Sequence, residues 1–391
     1  MQLQARRYET GEPVIVTVAG EKIQSVVPLT FTGDVTALPY LAPGLFDLQI
    51  NGYGGVWFGK VGITPEEVLT TLKPHFQYGI TRLCPTLITN SQENLLAGFD
   101  AICQACEQEE WVNNMVPGCH LEGPYIATED GPRGAHPLEH VRAANWNEFE
   151  ELQQASGNRI KLVTLAPEAE GAIEFITKAV DAGVVISIGH TGATPRQITA
   201  AVDAGAKLST HLGNGAHGVM RRHPNYIWEQ LGDSRLMASI ITDGHHLPAS
   251  VVRVIIATKK ISGTIITCDA AGLAGCPPGQ YTEGSLEVEI LEDGRIVIAG
   301  QDQLLAGSSL ETDTCVTTAM EMAGLTLQQA FDMAGRNPAR LLGYEQIELK
   351  AGSRADLVLF YHAGAGKKID IIATVAAGIL QYGTILDTAT L

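Results

Sequence analysis

A chain of 391 residues, 45% of them hydrophobic, can bury a large core and exceeds the usual size of one domain, so two structural units are expected. The formal net charge of -17 and a pI near 5.0 exclude a general nucleic-acid or acidic-membrane surface, because such partners need an extended basic face; any anionic ligand must be gripped by a local cluster. The opening MQLQARRYETGEP has no apolar signal core, no apolar stretch approaches spanning length, and the 7 cysteines lack a small-domain spacing, which together point to reduced thiols and a cytoplasmic protein.

In chain order, the first elements are two short β-type runs, Val14 to Val18 and Ile23 to Val27, joined by a turn at Gly20-Glu21-Lys22. From Pro43 the pattern becomes apolar strands alternating with helical stretches. The strands are Leu45 to Gln49, Arg82 to Leu87, Val116 to Glu122, Ile160 to Ala166, Val184 to Ile188, Leu208 to His211, Ala238 to Thr242 and Thr264 to Asp269. Helices are expected over Pro65 to Tyr78, Gln92 to Glu109, Gly171 to Ala182 and Pro195 to Ala204, among others. Repeated strand-then-helix units predict an α/β fold, a (β/α)8 TIM-like barrel whose chemistry collects at the C-terminal strand ends. An insertion of β character follows, Ser285 to Ile290 and Arg295 to Ala299, then helices at Asp313 to Ala323 and Leu327 to Ala334 and a strand-like tail at Asp356 to Tyr361 and Ile369 to Val375. Both chain ends are therefore expected to build one small β-sandwich domain, residues 1–42 with 346–391, beside a hydrolase barrel at 43–345.

Read for chemistry, three strand ends stand out. Glu122 closes the third strand, His190 follows the fifth and His211 closes the sixth. A lone histidine at a strand end is more often a satisfied polar residue than a ligand, but two at equivalent ends with a glutamate form a His2Glu set. Such a set suits Zn²⁺ and several other divalent ions, and leaves a position open for water. The eighth strand ends at Asp269, a carboxylate placed to take a proton from that water and pass it to a leaving group. After the first strand, Gln49 and Asn51 point the same way by alternation; as neutral amides they are poor first-shell ligands.

The strings PGLFDLQINGYGG, HLEGPYI, GHTGAT, THLGNGAHG, TDGHHLP, DAAGLAG and LAGS occur in the order found in N-acetylglucosamine-6-phosphate deacetylases of the amidohydrolase superfamily, which the chain resembles over nearly its whole length. The resemblance implies a barrel carrying a β-sandwich from both termini, and hydrolysis of the N-acetyl group of N-acetylglucosamine 6-phosphate to glucosamine 6-phosphate and acetate. Carried over residue by residue, it implies that Glu122, His190 and His211 bind the metal, that Asp269 transfers the proton and that His136 polarises the amide carbonyl. It further implies that Ala135, Asn214 and Gly215 hold the sugar, that Leu305, Ala306 and Gly307 form a loop closing over it, and that Arg222 and His246 grip the phosphate. Within the family that arginine can come from a neighbouring subunit, so a homodimer is implied. Gln49 and Asn51 stand where many superfamily members have His-x-His, which implies one divalent ion, with Zn²⁺ foremost, rather than two.

Two stretches depart from the family's pattern. Gly215-Ala216-His217-Gly218-Val219-Met220, with the following His223 to Trp228, replaces an apolar aromatic loop; Glu129-Asp130-Gly131-Pro132-Arg133 brings a further arginine close to His136, and His245 stands beside His246. These departures bear on substrate choice. A related amidohydrolase acting on another N-acylated amino sugar or a cyclic amide is the rival expectation, and a non-catalytic sugar-phosphate sensor is a third; no nucleic-acid or membrane partner is expected.

Overall fold

A computed structural model describes residues 1–283, 286–298, 305–364 and 367–385. Ser285 and Ala299, the outer ends of the strands expected in the insertion, lie outside these, as do residues 386–391 of the expected terminal domain.

Among the described residues, eight parallel strands form one sheet in sequential order: β1 (Leu45–Ile50), β2 (Ile80–Ile88), β3 (Cys119–Glu122), β4 (Ile160–Leu165), β5 (Val185–Ile188), β6 (Leu208–Ser209), β7 (Met237–Ile241) and β8 (Thr264–Thr267). Every expected barrel strand is present. Their Leu, Ile and Val content is continuous rather than alternating because helices cover one face and the barrel interior the other: β1 and β8 are buried at every position. The strands close into a barrel where Ile50 bridges Ala270 and the Asn51 N–H donates to the Ala270 carbonyl at 2.8 Å.

A single carboxylate stitches this seam. Asp47, wholly buried in β1, accepts from the Gln49 N–H at 2.9 Å and the Thr267 hydroxyl on one oxygen. Its other oxygen accepts from the Cys268 N–H at 2.9 Å and the Thr312 hydroxyl at 2.7 Å. Four donors satisfy the charge that burial would otherwise make costly.

The chain ends share one seven-stranded sheet among the described residues. Gln2–Arg7, Pro13–Ala19 and Lys22–Pro28 form one side; Leu357–Tyr361, Asp370–Ala376 and Ile379–Gly383 form the other. Tyr40–Pro43 joins them, parallel to the first group at Arg6 and antiparallel to Leu357–Tyr361. Period-2 burial along Pro13–Ala19 turns Val14, Val16 and Val18 inward. The insertion is a four-stranded antiparallel sheet, Gly279–Glu283, Leu286–Ile290, Arg295–Ile298 and Leu305–Ser308. Its last strand returns to the barrel mouth, where Ser308 exchanges backbone hydrogen bonds with Asp269 and Ala271. Among the described residues no helix is long and apolar enough to cross a membrane.

Candidate active site

The C-terminal strand ends bring the sequence-flagged ligands together. Glu122 ends β3, while His190 and His211 lie just beyond β5 and β6, and all three are buried. Nε2 of His190 and Nε2 of His211 each lie 3.0 Å from Glu122 Oε1 and 3.0 Å from one another. Ligand atoms around an ion with bonds near 2.0 Å stand about 3.3 Å apart, so this triangle has the size of a metal site. His136 stands next, its Nε2 4.0 Å from Glu122 Oε2, and Glu122, His136 and His190 also present ligand atoms within reach of one ion.

The chemistry of the donor set fits a cation. His190 Nδ1 meets the Pro132 carbonyl at 2.9 Å; a carbonyl only accepts, so Nδ1 carries the proton and the Nε2 lone pair faces inward. Two imidazole nitrogens and a carboxylate oxygen converging at 3.0 Å repel one another unless positive charge lies among them. Burial would raise the Glu122 carboxyl, but the His190 and His211 imidazoles set against its Oε1 outweigh it and hold it well below the usual range, as a cation among them would.

Local backbone is adapted to this convergence. His190, His211 and Asp269 all have positive φ, 49°, 30° and 53°, which turns each side chain into the barrel mouth as the strand ends. Two glycines clamp the His190 ring. A Cβ on Gly215 (φ +55) would stand 2.9 Å from His190 Nδ1, and one on Gly134 (φ +60) 3.3 Å from Cε1, so only glycine lets both loops close on the imidazole.

Asp269 stands across the mouth from the triangle. Its Oδ1 accepts from Asn51 Nδ2 at 2.8 Å, and burial, with the Glu122 charge, pushes its carboxyl up to about 7. Asn51 thus binds the expected proton carrier, while Gln49 Nε2 is buried with no hydrogen-bond partner among the described residues. His136 Nδ1 pairs with the Thr89 hydroxyl at 2.8 Å; burial first, then His190, pushes its imidazole down to about 3, so it is neutral at ordinary pH.

Of the residues expected around the substrate, Asn214 and Gly215 lie directly after His211, and Asn214 Nδ2 donates to the His211 carbonyl at 3.3 Å. Ala135 is exposed beside His136. His246 Nδ1 meets Asp243 Oδ2 at 2.7 Å, and Ser308 donates to the same oxygen at 3.2 Å, which fixes the imidazole. Arg222 is exposed and its guanidinium makes no hydrogen bond or ion pair among the described residues. Leu305 and Gly307 sit in the strand that returns to Asp269, and Ala306 lies between them.

Sequence reasoning missed the supports: Asp47, Thr89, and Glu168, whose carboxylate accepts from the Thr191 hydroxyl at 2.5 Å and the Gly192 N–H at 2.6 Å just past His190. It also missed Tyr226, which engages His217. Asp47 lay within the quoted PGLFDLQINGYGG string, and a carboxylate inside an apolar run was the signal for it.

The chain is 33% identical to N-acetylgalactosamine-6-phosphate deacetylase of Escherichia coli over 91% of this chain and 94% of that protein. It is 33% identical to the human N-acetylglucosamine-6-phosphate deacetylase over 82% of this chain and 79% of that one. The structure of N-acetyl-D-glucosamine-6-phosphate deacetylase from Mycobacterium smegmatis superimposes with a TM-score of 0.86 at 30% identity, covering 97% of this chain and 99% of the other. The pattern described as "Amidohydrolase family" matches residues 40–384, which span the barrel and reach into the C-terminal strands of the terminal sheet. With a closed eight-stranded barrel, a Glu-His-His triangle at its mouth and these relatives, the chain belongs to the amidohydrolase family, among the N-acetylhexosamine-6-phosphate deacetylases.

Proposed function

We propose that the protein hydrolyses the N-acetyl group of N-acetylglucosamine 6-phosphate to glucosamine 6-phosphate and acetate. The observation that carries this reading is the 3.0 Å triangle of Glu122, His190 and His211 facing an Asp269 carboxyl pushed up to about 7. Glu122, His190 and His211 would hold one divalent ion, with Zn²⁺ the favoured ion for a His2Glu set; when bound it supplies Lewis-acid polarisation of water and of the acetamide carbonyl.

The chain's own residues supply the rest. A carboxyl poised near neutrality can accept the proton of the attacking water and then deliver it to the amine nitrogen as the C–N bond breaks, which is the role of Asp269. His136 donates to the carbonyl oxygen as negative charge builds there; its neutral imidazole, with Nδ1 accepting from Thr89, leaves Nε2–H for that bond. Asn214, Gly215, Ala135 and Leu305 to Gly307 would border the sugar. His246, held by Asp243, and the exposed Arg222 grip the phosphate.

An exposed Arg222 with no partner among the described residues also favours a homodimer in which it completes the neighbour's site. The seven cysteines, odd in number and without a small-domain spacing, favour a reducing, cytoplasmic setting, and the small domain is assigned to residues 1–42 with 346–391.

A second reading has specific support: the Escherichia coli relative, which matches 91% of this chain, is named for the galactosamine epimer. Acetate release from the 6-phosphates of N-acetylglucosamine, N-acetylgalactosamine and N-acetylmannosamine, with metal analysis of the same sample, tests both. Turnover of the first substrate above the others is expected. Acetate from none of the three overturns the proposal.

A further inference from the structure

The two stretches that depart from the family's pattern touch each other. One is the loop after β3, which carries Glu129 and His136; the other is the loop after β6, which carries Asn214, Gly215, His217 and Arg222. His217 Nε2 lies 2.9 Å from Glu129 Oε2. On its other side His217 meets Tyr226, in the first turn of helix Tyr226–Gly232: the phenol oxygen accepts the His217 backbone N–H at 2.8 Å and lies 3.0 Å from Nδ1. With the phenol proton donated to Nδ1, the imidazole proton sits on Nε2 and is donated to the Glu129 carboxylate.

The bridge is seated on bare backbone. A Cβ on Gly131 would stand 3.1 Å from the Ala216 carbonyl and from His217 Cα, and a Cβ on Gly192 would stand 3.1 Å from His217 Cε1. Arg222, five residues further along, has no side-chain partner among the described residues to hold it. Asn225 fixes its backbone from behind by donating to the Arg221 and Arg222 carbonyls at 3.1 and 3.2 Å. The His217–Glu129 link is a side-chain tie between this loop and the His136 loop.

We propose that Tyr226, His217 and Glu129 are positioning residues: a latch that fixes the loop bearing the phosphate-gripping arginine against the loop bearing His136, and so sets how tightly the phosphorylated sugar is held. This rests on the deacetylase reading above. Glu129 is largely exposed, so the effect is modest and falls on binding rather than on the chemical step.

The test is a double-mutant cycle in the full chain with His217→Ala, Glu129→Ala and the pair, supplemented by Tyr226→Phe and His217→Gln. Each single alanine variant is expected to raise KM for the phosphorylated substrate about fivefold, with kcat and metal content held within about twofold. The double variant should be no worse than either single one, and His217→Gln, which keeps a nitrogen donor near Nε2, should recover part of the loss. KM for unphosphorylated N-acetylglucosamine should not move. Additive effects, or equal losses on both substrates, overturn the latch. If the parent protein releases no acetate, the deacetylase reading fails separately. Hydrogen exchange then decides the latch: His217→Ala must raise exchange in residues 127–136 and 213–225 together, and a rise confined to one loop overturns it.

Discussion

Asn51 holds Asp269 across the seam where the barrel closes: its side-chain amide donates to Oδ1 at 2.8 Å, while its backbone N–H donates to the carbonyl of Ala270. One residue just past the first strand therefore ties down the chain beyond the eighth strand and orients the carboxyl it carries. The Asp269→Asn variant keeps the shape but cannot carry a proton. It should bind the metal normally and lose about 10²- to 10⁴-fold in kcat, as removal of a general base does. Steady-state kinetics beside metal analysis checks this; near-normal turnover removes Asp269 from the mechanism.

Metal dependence follows from the triangle. Chelation should abolish acetate release and one equivalent of Zn²⁺ or a similar ion should restore it, whereas Glu122→Gln removes the anionic ligand from between two imidazoles and should leave the protein folded with little bound metal. Full activity of metal-free protein refutes the site.

Arg222→Ala separates phosphate recognition from catalysis. Hydrogen bonds to a charged partner contribute about 1.5–3 kcal/mol, so KM for the phosphorylated sugar should rise about tenfold or more, with the unphosphorylated sugar unaffected. Equal kinetics of parent and variant on both sugars places the phosphate elsewhere.

Gly215→Ala tests the clamp on His190. The new methyl would stand 2.9 Å from Nδ1 in a backbone with φ +55, so the ring must tilt or the loop must lift. Metal affinity and kcat/KM should both fall by about tenfold or more, with a change in melting temperature of only a few degrees. Unaltered metal affinity argues that the ring has room the structure does not give it.

Stability should carry a pH signature from Asp313, in the first turn of helix Thr312–Ala323. Burial pushes its carboxyl up to about 6 from an ordinary 3.8, although Lys368, 3.6 Å away, opposes this. The folded protein thus holds a proton that the unfolded chain releases; that contribution is complete below about 3.8 and lost as pH rises through about 6. Asp313→Asn should melt near the parent at pH 4 and be more stable by about 1–3 kcal/mol at pH 8. Thermal melts at both values decide, and a difference independent of pH removes the explanation.

The barrel was legible because its strands are unbroken apolar runs and its helices end at glycines or polar loops; the two disagree with expectation mainly at their ends. The third strand starts at Cys119 rather than Val116, because Pro117 has no N–H to give the ladder, and the sixth stops at Ser209 because the chain turns at Thr210 and His211. The ligand triangle was legible for the same reason, each member following an apolar run. Side chains that act on other side chains were not. Thr89 on His136, Glu168 on Thr191 and Glu129 on His217 join loops that follow different strands, and residue spacing carries no record of which loops lean together.

The left-handed backbone at His190, His211 and Asp269 has a consequence for how such a protein can be improved. A non-glycine residue gives up about 1–2 kcal/mol in that conformation, and glycine avoids the penalty. Selection for heat resistance alone would accordingly favour glycine at these three positions and end with a sturdier barrel that is catalytically silent. Hardening this enzyme therefore has to begin far from its mouth.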